Sequence, residues 1–167
     1  DLSLDAYSKA GILAVTVGVG ASGDLAIQAT GFGNVITNST KAGITSNSGV
    51  EAAHDVYVNA EDDSSIRSLG LSIAASGSNA IGAIIGANVI TNSVTAEVSG
   101  SRVASGDKLE LIALSDSDIM AFTGGVAASG STAVLVSLSA NVIANSTRAV
   151  ITDQVNHRSD IDAGGPV

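Results

Sequence analysis

The chain has no cysteine, no tryptophan, one proline and only four aromatic residues, two Tyr and two Phe. The missing thiols exclude Cys nucleophiles, Cys-ligated zinc and disulfide staples together, so no compartment can be read from redox chemistry. Without aromatics to dominate the core, a hydrophobic content of 45% must stabilise through many small, regularly stacked contacts of Ala, Val, Ile and Leu. Basic residues are also few: 7 against 16 acids, giving a net charge of -9. That balance argues against nucleic acid and against anionic membrane surfaces, which reward basic patches, and it suits an extracellular surface. A long hydrophobic run is missing too. The most apolar stretch, Ala80 to Ile90, is interrupted by Gly82, Gly86 and Asn88 and falls well short of the roughly 18 clean apolar residues of a spanning helix. No membrane insertion is expected. With no initiating Met and no basic-then-apolar leader, the chain reads as a processed piece or a fragment.

What is present is repetition. Ala-Ser-Gly occurs at Ala21-Ser22-Gly23, Ala75-Ser76-Gly77 and Ala128-Ser129-Gly130, in steps of 54 and 53. Asn-Val-Ile-x-Asn-Ser starts 13 positions after each copy, at Asn34, Asn88 and Asn141. A third marker runs Asp1 to Ala6, Asp55 to Ala60 and Lys108 to Ala113, and Ser159 to Ala163 reads as a worn fourth copy. The chain is therefore expected to be one repeat domain, with copies over approximately 1–54, 55–107 and 108–163 and a tail at 164–167.

Within each copy the apolar residues alternate with the period of two that marks a strand. Strand units that cannot bury their own apolar faces stack on copies of themselves, so the expected fold is an all-β, β-helix-like solenoid of three repeats. Stacking makes Asn34/Asn88/Asn141 and Asn38/Asn92/Asn145 candidate ladders, in which amides bond along the column instead of lying buried and unpaired. Two further expectations concern the strand that opens each repeat. Val15/Leu69/Phe122, Val17/Leu71/Gly124 and Val19/Ile73/Val126 read as its core face. The opposite face carries only small residues, Thr16/Gly70/Thr123 and Gly18/Ser72/Gly125 among them, and is expected to pack closely against a second sheet or another chain.

The Gly-Gly-Val-Ala-Ala-Ser-Gly-Ser segment at Gly124 to Ser131, followed by Asn-Val-Ile-x-Asn-Ser-x-x-Ala-x-Ile at Asn141 to Ile151, resembles the repeat regions of large secreted bacterial exoproteins of the filamentous-haemagglutinin and leukotoxin-type filamentous adhesin family. The first two copies keep the Ala-Ser-Gly and Asn-Val-Ile parts of that pattern. The resemblance implies a β-solenoid displayed on or shed from a bacterial surface, serving adhesion or as a stalk, with no catalytic residues and no cofactor. Its partners would be neighbouring repeats, further copies of the same chain, or host and matrix ligands. A subunit that stacks end to end into an extracellular filament is the alternative reading.

Chemistry-bearing residues are thin. His54 and His157 are the only imidazoles, and both read as exposed loop residues. Glu61-Asp62-Asp63 and Asp116-x-Asp118 read as solvated acidic corners. Asp62, Asp63, Asp116 and Asp118 are the weak candidates for a Ca²⁺ corner, since hard cations take carboxylate oxygens, but the nonapeptide of calcium β-rolls is absent.

Overall fold

The computed structural model describes residues 1–167 and contains strands but no helix. Strand β1 spans Leu2–Ser22, β2 Leu25–Thr45 and β3 Gly49–Ala52; β4 (Val56–Ser76), β5 (Asn79–Ser99) and β6 (Arg102–Ser105) repeat that order. In the third copy β7 is Leu109–Ser129, the second long strand is split into β8 (Thr132–Ile143) and β9 (Ser146–Thr152), and β10 is Asp160–Ala163. All ladders between copies are parallel: β1-β4-β7 form one sheet, β2-β5 with β8 and β9 a second, and β3-β6-β10 a short third. Leu2 pairs with Val56 and Val56 with Leu109, so each repeat is one wide coil and the sequence step is the rise of the solenoid. At ~3.3 Å per residue a 21-residue strand is about 70 Å long, whereas three coils at ~4.8 Å rise only about 14 Å. The molecule is thus a slab, much longer along its strands than along its axis.

Parity explains which side chains are inside. The long strands carry no bulge, so the inward parity set by Val56, Val58 and Ala60 persists to Ser72 and Ala74 at the far end of β4, all with no exposed surface. One core cluster, built on Val56, Val58, Val94, Val98 and Val103, fills the end of the slab bordered by the short third sheet. A second, of Ile36, Ile66 and Ile90, lies farther out with Ile12 and Ile119 packed on it.

That parity corrects one expectation. The small-residue face, not the large one, points inward: Gly18 and Gly70 are buried and Ser72 wholly so, facing the second long sheet of the same chain. The supposed core columns lie on the outside, with Val15 63%, Leu69 36% and Phe122 61% exposed. Large side chains of the first sheet could not enter because those of the facing sheet already fill the seam there. A Cβ on Gly70 would lie 2.6 Å from both the Phe32 ring and Ile84, and one on Gly86 would collide with Phe32 again. The first-coil Phe32 ring occupies the room these two glycines leave.

The covered face is also less complete than expected, because the outer coils have a neighbour on one side only. Thr16 in the first coil is half-buried. Thr123 and Gly125 in the third coil are likewise only half-buried, although they stack in register on Gly70 and Ser72. Thr123 spans the seam with a hydrogen bond, its Oγ1 accepting from Ser137 Oγ at 2.9 Å. Gly125 lies tight against the second coil, where an added Cβ would strike the Ser72 carbonyl and approach Leu135 to 3.1 Å.

The worn fourth copy is a further correction. Asp160–Ala163 pairs with Arg102–Ser105 and is the third side of the third coil. The Leu2/Val56/Leu109 column is instead prolonged by Val167. The Leu109 N–H donates to the Pro166 carbonyl, the bond Val56 N–H makes to the Lys108 carbonyl one coil earlier. The shift comes from the longer connection between β9 and β10, closed by an isolated Gln154–His157 bridge.

Candidate functional site: an interior polar ladder and an apolar outer surface

Two columns of polar side chains flank the isoleucine cluster, Asn34/Asn88/Asn141 on its tip side and Asn38/Asn92/Asn145 between it and the larger core. Asn34 Nδ2 donates to Asn88 Oδ1 and Asn88 Nδ2 to Asn141 Oδ1, both at 2.8 Å. The Asn38/Asn92/Asn145 column is wired differently. The Asn38 backbone N–H donates to Asn92 Oδ1, and the Asn92 N–H to Asn145 Oδ1, each at 3.2 Å. Their amide NH₂ groups are thereby freed to cross the interior. Asn38 Nδ2 reaches Asp62 Oδ2 at 2.9 Å, and Asn92 Nδ2 reaches Asp62 Oδ1 at 2.5 Å. Asn145 Nδ2 has only hydroxyls opposite it, Ser115 and Ser117. The ladder therefore rivets the two long sheets together as well as tying the coils along the axis.

Asp62 is the residue that sequence reasoning misplaced. It is completely buried in the middle of β4, where Ser64 Oγ also donates to it at 2.7 Å, and it is not on a corner. Counting parity from Val56 would have put it inside. Asp63, Asp116 and Asp118 face outward along the same sheet, and Asp63 pairs with Lys9 at 2.6 Å. Asp62 and its three acidic neighbours thus lie on opposite sides of the sheets, and no three His, Asp or Glu side chains gather into a cation cage. His54 stacks over Asp107 at 3.1 Å in the exposed connections ahead of β4 and β7. The depression beside the third sheet carries Glu51 and Asp162 in one column with Ala104 between, two carboxylates with no imidazole or amine among its lining residues.

At the start of the coils, Lys108 N–H donates to Asp55 Oδ1 and Tyr57 hydroxyl to Asp55 Oδ2. Those bonds, the backbone one foremost, hold the Asp55 carboxyl below its ordinary range. Lys108 is pushed up, chiefly by its 2.8 Å bond to Glu110, and Lys9 by its bond to Asp63.

The outer surface divides sharply. Each coil contains a 25-residue window, 12–36, 66–90 or 119–143, that runs out to the tip of the slab and back, and the three windows hold only Asp24 and Arg67 of the 23 charged residues (16 acidic, 7 basic). The acids and bases are otherwise confined to the half bordered by the third sheet. On the second long sheet the outer half, Leu25–Ile36, Asn79–Ile90 and Thr132–Ile143, carries no charge at all. Its outward positions alternate in height. Ile27/Ile81/Val134 stand proud, Ala29/Ala83 are low, Ile85/Leu138 stand proud, Gly33/Ala87/Ala140 are low, and Val35/Val89/Val142 stand proud again. Val136 is a tall member of a low row and Gly31 a low member of a tall one. The tall side chains are open to solvent, with Ile27 at 65%, Ile85 at 57% and Leu138 at 57% exposed.

These features define a parallel β-solenoid with one wide coil per repeat. Comparison with protein-family models, curated proteins and solved structures finds no match to the chain.

Proposed function

We propose that the chain is a non-enzymatic, structural and adhesive β-solenoid segment of a bacterial exoprotein, displayed at the cell surface or secreted. The observation that carries this reading is that the coil-on-coil register generates the entire surface. Each outer face is a set of flat columns repeated at every coil, a surface that presents broad area and no converging groups. The acidic balance and the resemblance of its Ala-Ser-Gly and Asn-Val-Ile units to secreted exoprotein repeats support the same reading. Surface-coated chain is expected to retain host epithelial cells or extracellular matrix above an equally acidic control protein. Retention no greater than the control would overturn the adhesive part.

The filament reading has its own support in the open ladder edges of the first and third coils. In a parallel ladder successive residues turn their N–H groups to opposite sides. Leu2 N–H donates to the Asp55 carbonyl, so Ser3, Asp5 and Tyr7 present theirs to the open edge. A stack of copies would form a fibre about 70 Å wide with a ~4.8 Å axial repeat. Asp5→Pro removes one edge donor and no ladder bond, losing only the exposed bond that the Ser3 hydroxyl donates to the Asp5 carboxylate. Electron micrographs of fibres that Asp5→Pro abolishes would favour the filament, and discrete particles would favour the segment.

A further inference from the structure

The geometry points to a second copy of this chain as the occupant of the charge-free outer half of the β2-β5-β8 face, bound through a twofold axis parallel to the solenoid axis. Under that operation the central rows interdigitate: the tall Ile27/Ile81/Val134 row meets the low Gly33/Ala87/Ala140 row in every coil and Ile85 meets Ala83 in the second, while Val136 meets Leu138 in the third coil and Leu25 meets Val35 in the first. An axis parallel to the strands would set each row on its own twin, ridge on ridge. An axis along the stack, passing over the inward Thr30/Ile84/Ser137 column, reverses the strand direction of the partner. It then lays Ile81 into the groove at Ala87 and Ile85 into the groove at Ala83, with the reciprocal contacts that a closed isologous dimer requires. Interdigitated rows of this kind form dry, tightly packed interfaces between sheets.

Charge and area agree with this arrangement. The reversed strands send the two acidic halves to opposite ends of the pair, so two chains of net charge -9 meet only where neither carries charge. The window from Leu25 to Val35, about 36 Å long by three coils of ~4.8 Å, covers roughly 500 Å² per copy. The total of about 1,000 Å² lies at the lower limit for a specific interface, so the pair should be weak and concentration-dependent. Lipid suits the same face less well. The first and third coils present unpaired backbone groups along the outer half of their edge strands, which a hydrocarbon phase cannot satisfy.

Sedimentation equilibrium with small-angle X-ray scattering tests the pairing. The dimer expected here overlaps only at its tips and is about 100 Å in maximum dimension, against about 70 Å for a monomer or an end-stacked pair. Ile85→Lys, or Val35→Lys at a position 64% exposed, should raise the dissociation constant at least tenfold while leaving the circular dichroism spectrum intact. Thr95→Lys, outward on the charged half of the same strand, should not. A mixture of Ile81→Cys and Ala87→Cys chains should join through a short bismaleimide in a chain that has no other thiol, and neither variant alone should. A monomer at all concentrations, a 70 Å dimer lost in Asp5→Pro but kept in Ile85→Lys, or flotation with phosphatidylcholine vesicles in place of dimer formation would each overturn the proposal.

Discussion

Asp62 shows how much one side chain can hold when it is buried with donors on both sides. Its carboxylate accepts from Asn38, Asn92 and Ser64, residues drawn from both long sheets and from two coils. Asp62→Ala removes the acceptor that two amides share and leaves both with the Ser64 hydroxyl as a common partner, and a buried polar group short of a partner costs about 1–3 kcal/mol. Urea unfolding is therefore expected to show a loss of roughly 1–3 kcal/mol. Asp63→Ala, one residue on and outward, breaks only an exposed pair with Lys9 and should leave the urea midpoint nearly unchanged. Ser72 is the opposite case. Its hydroxyl is buried without a partner, so Ser72→Ala should be neutral or slightly stabilising in the same assay.

The long strand is the element that turns parity into architecture. Because β4 runs 21 residues without interruption, one inward residue near its start assigns all the others. Ser72→Arg would drive a charge into the seam between two sheets and should abolish cooperative unfolding. Ile73→Arg, next to it but 41% exposed, should keep the melting temperature within a few degrees. Gly86→Val would strike the Phe32 ring, and overpacking of this kind costs typically ~1–3 kcal/mol, readable as a lower denaturant midpoint with an unchanged slope.

For the whole molecule, the charged half sets how stability responds to pH. The Asp55 carboxyl is held below its ordinary value of 3.8 in the folded chain. Its contribution is complete above that value and is lost as pH falls through the lower, folded one. Lys9 and Lys108 are shifted the other way from 10.5, so their contributions are present below that value and are lost as pH rises past the folded ones. Thermal melts of Asp55→Asn should accordingly fall less steeply than those of the native chain below about pH 4.

Period and phase are properties of the chain alone, and they were enough for the all-β class, the repeat length and the alternation of every strand. The columns Leu2/Val56/Leu109 and Asn34/Asn88/Asn141 could be aligned before any coordinate was known, and the structure stacks them in that register. Which side of β4 faces inward beyond Ile66 was also encoded, by parity counted from Val56. Hydrophobicity read locally pointed the other way, because Leu69, Leu71 and Ile73 are larger than Ser68, Gly70 and Ser72. The packing of two sheets resolved that conflict. Their separation is a property of both, and in the outer half of the slab Phe32 and Ile84 of the second sheet fill the seam, so only small side chains of the first sheet fit against them. How far the small face is covered depended on coil position as well, which is why Gly70 and Ser72 are sealed while Thr123 and Gly125, stacked on them, are half-buried. Asp62 became an interior acceptor for the same kind of reason: its donors stand 24 and 30 residues away on a facing sheet, where no local pattern of β4 could announce them.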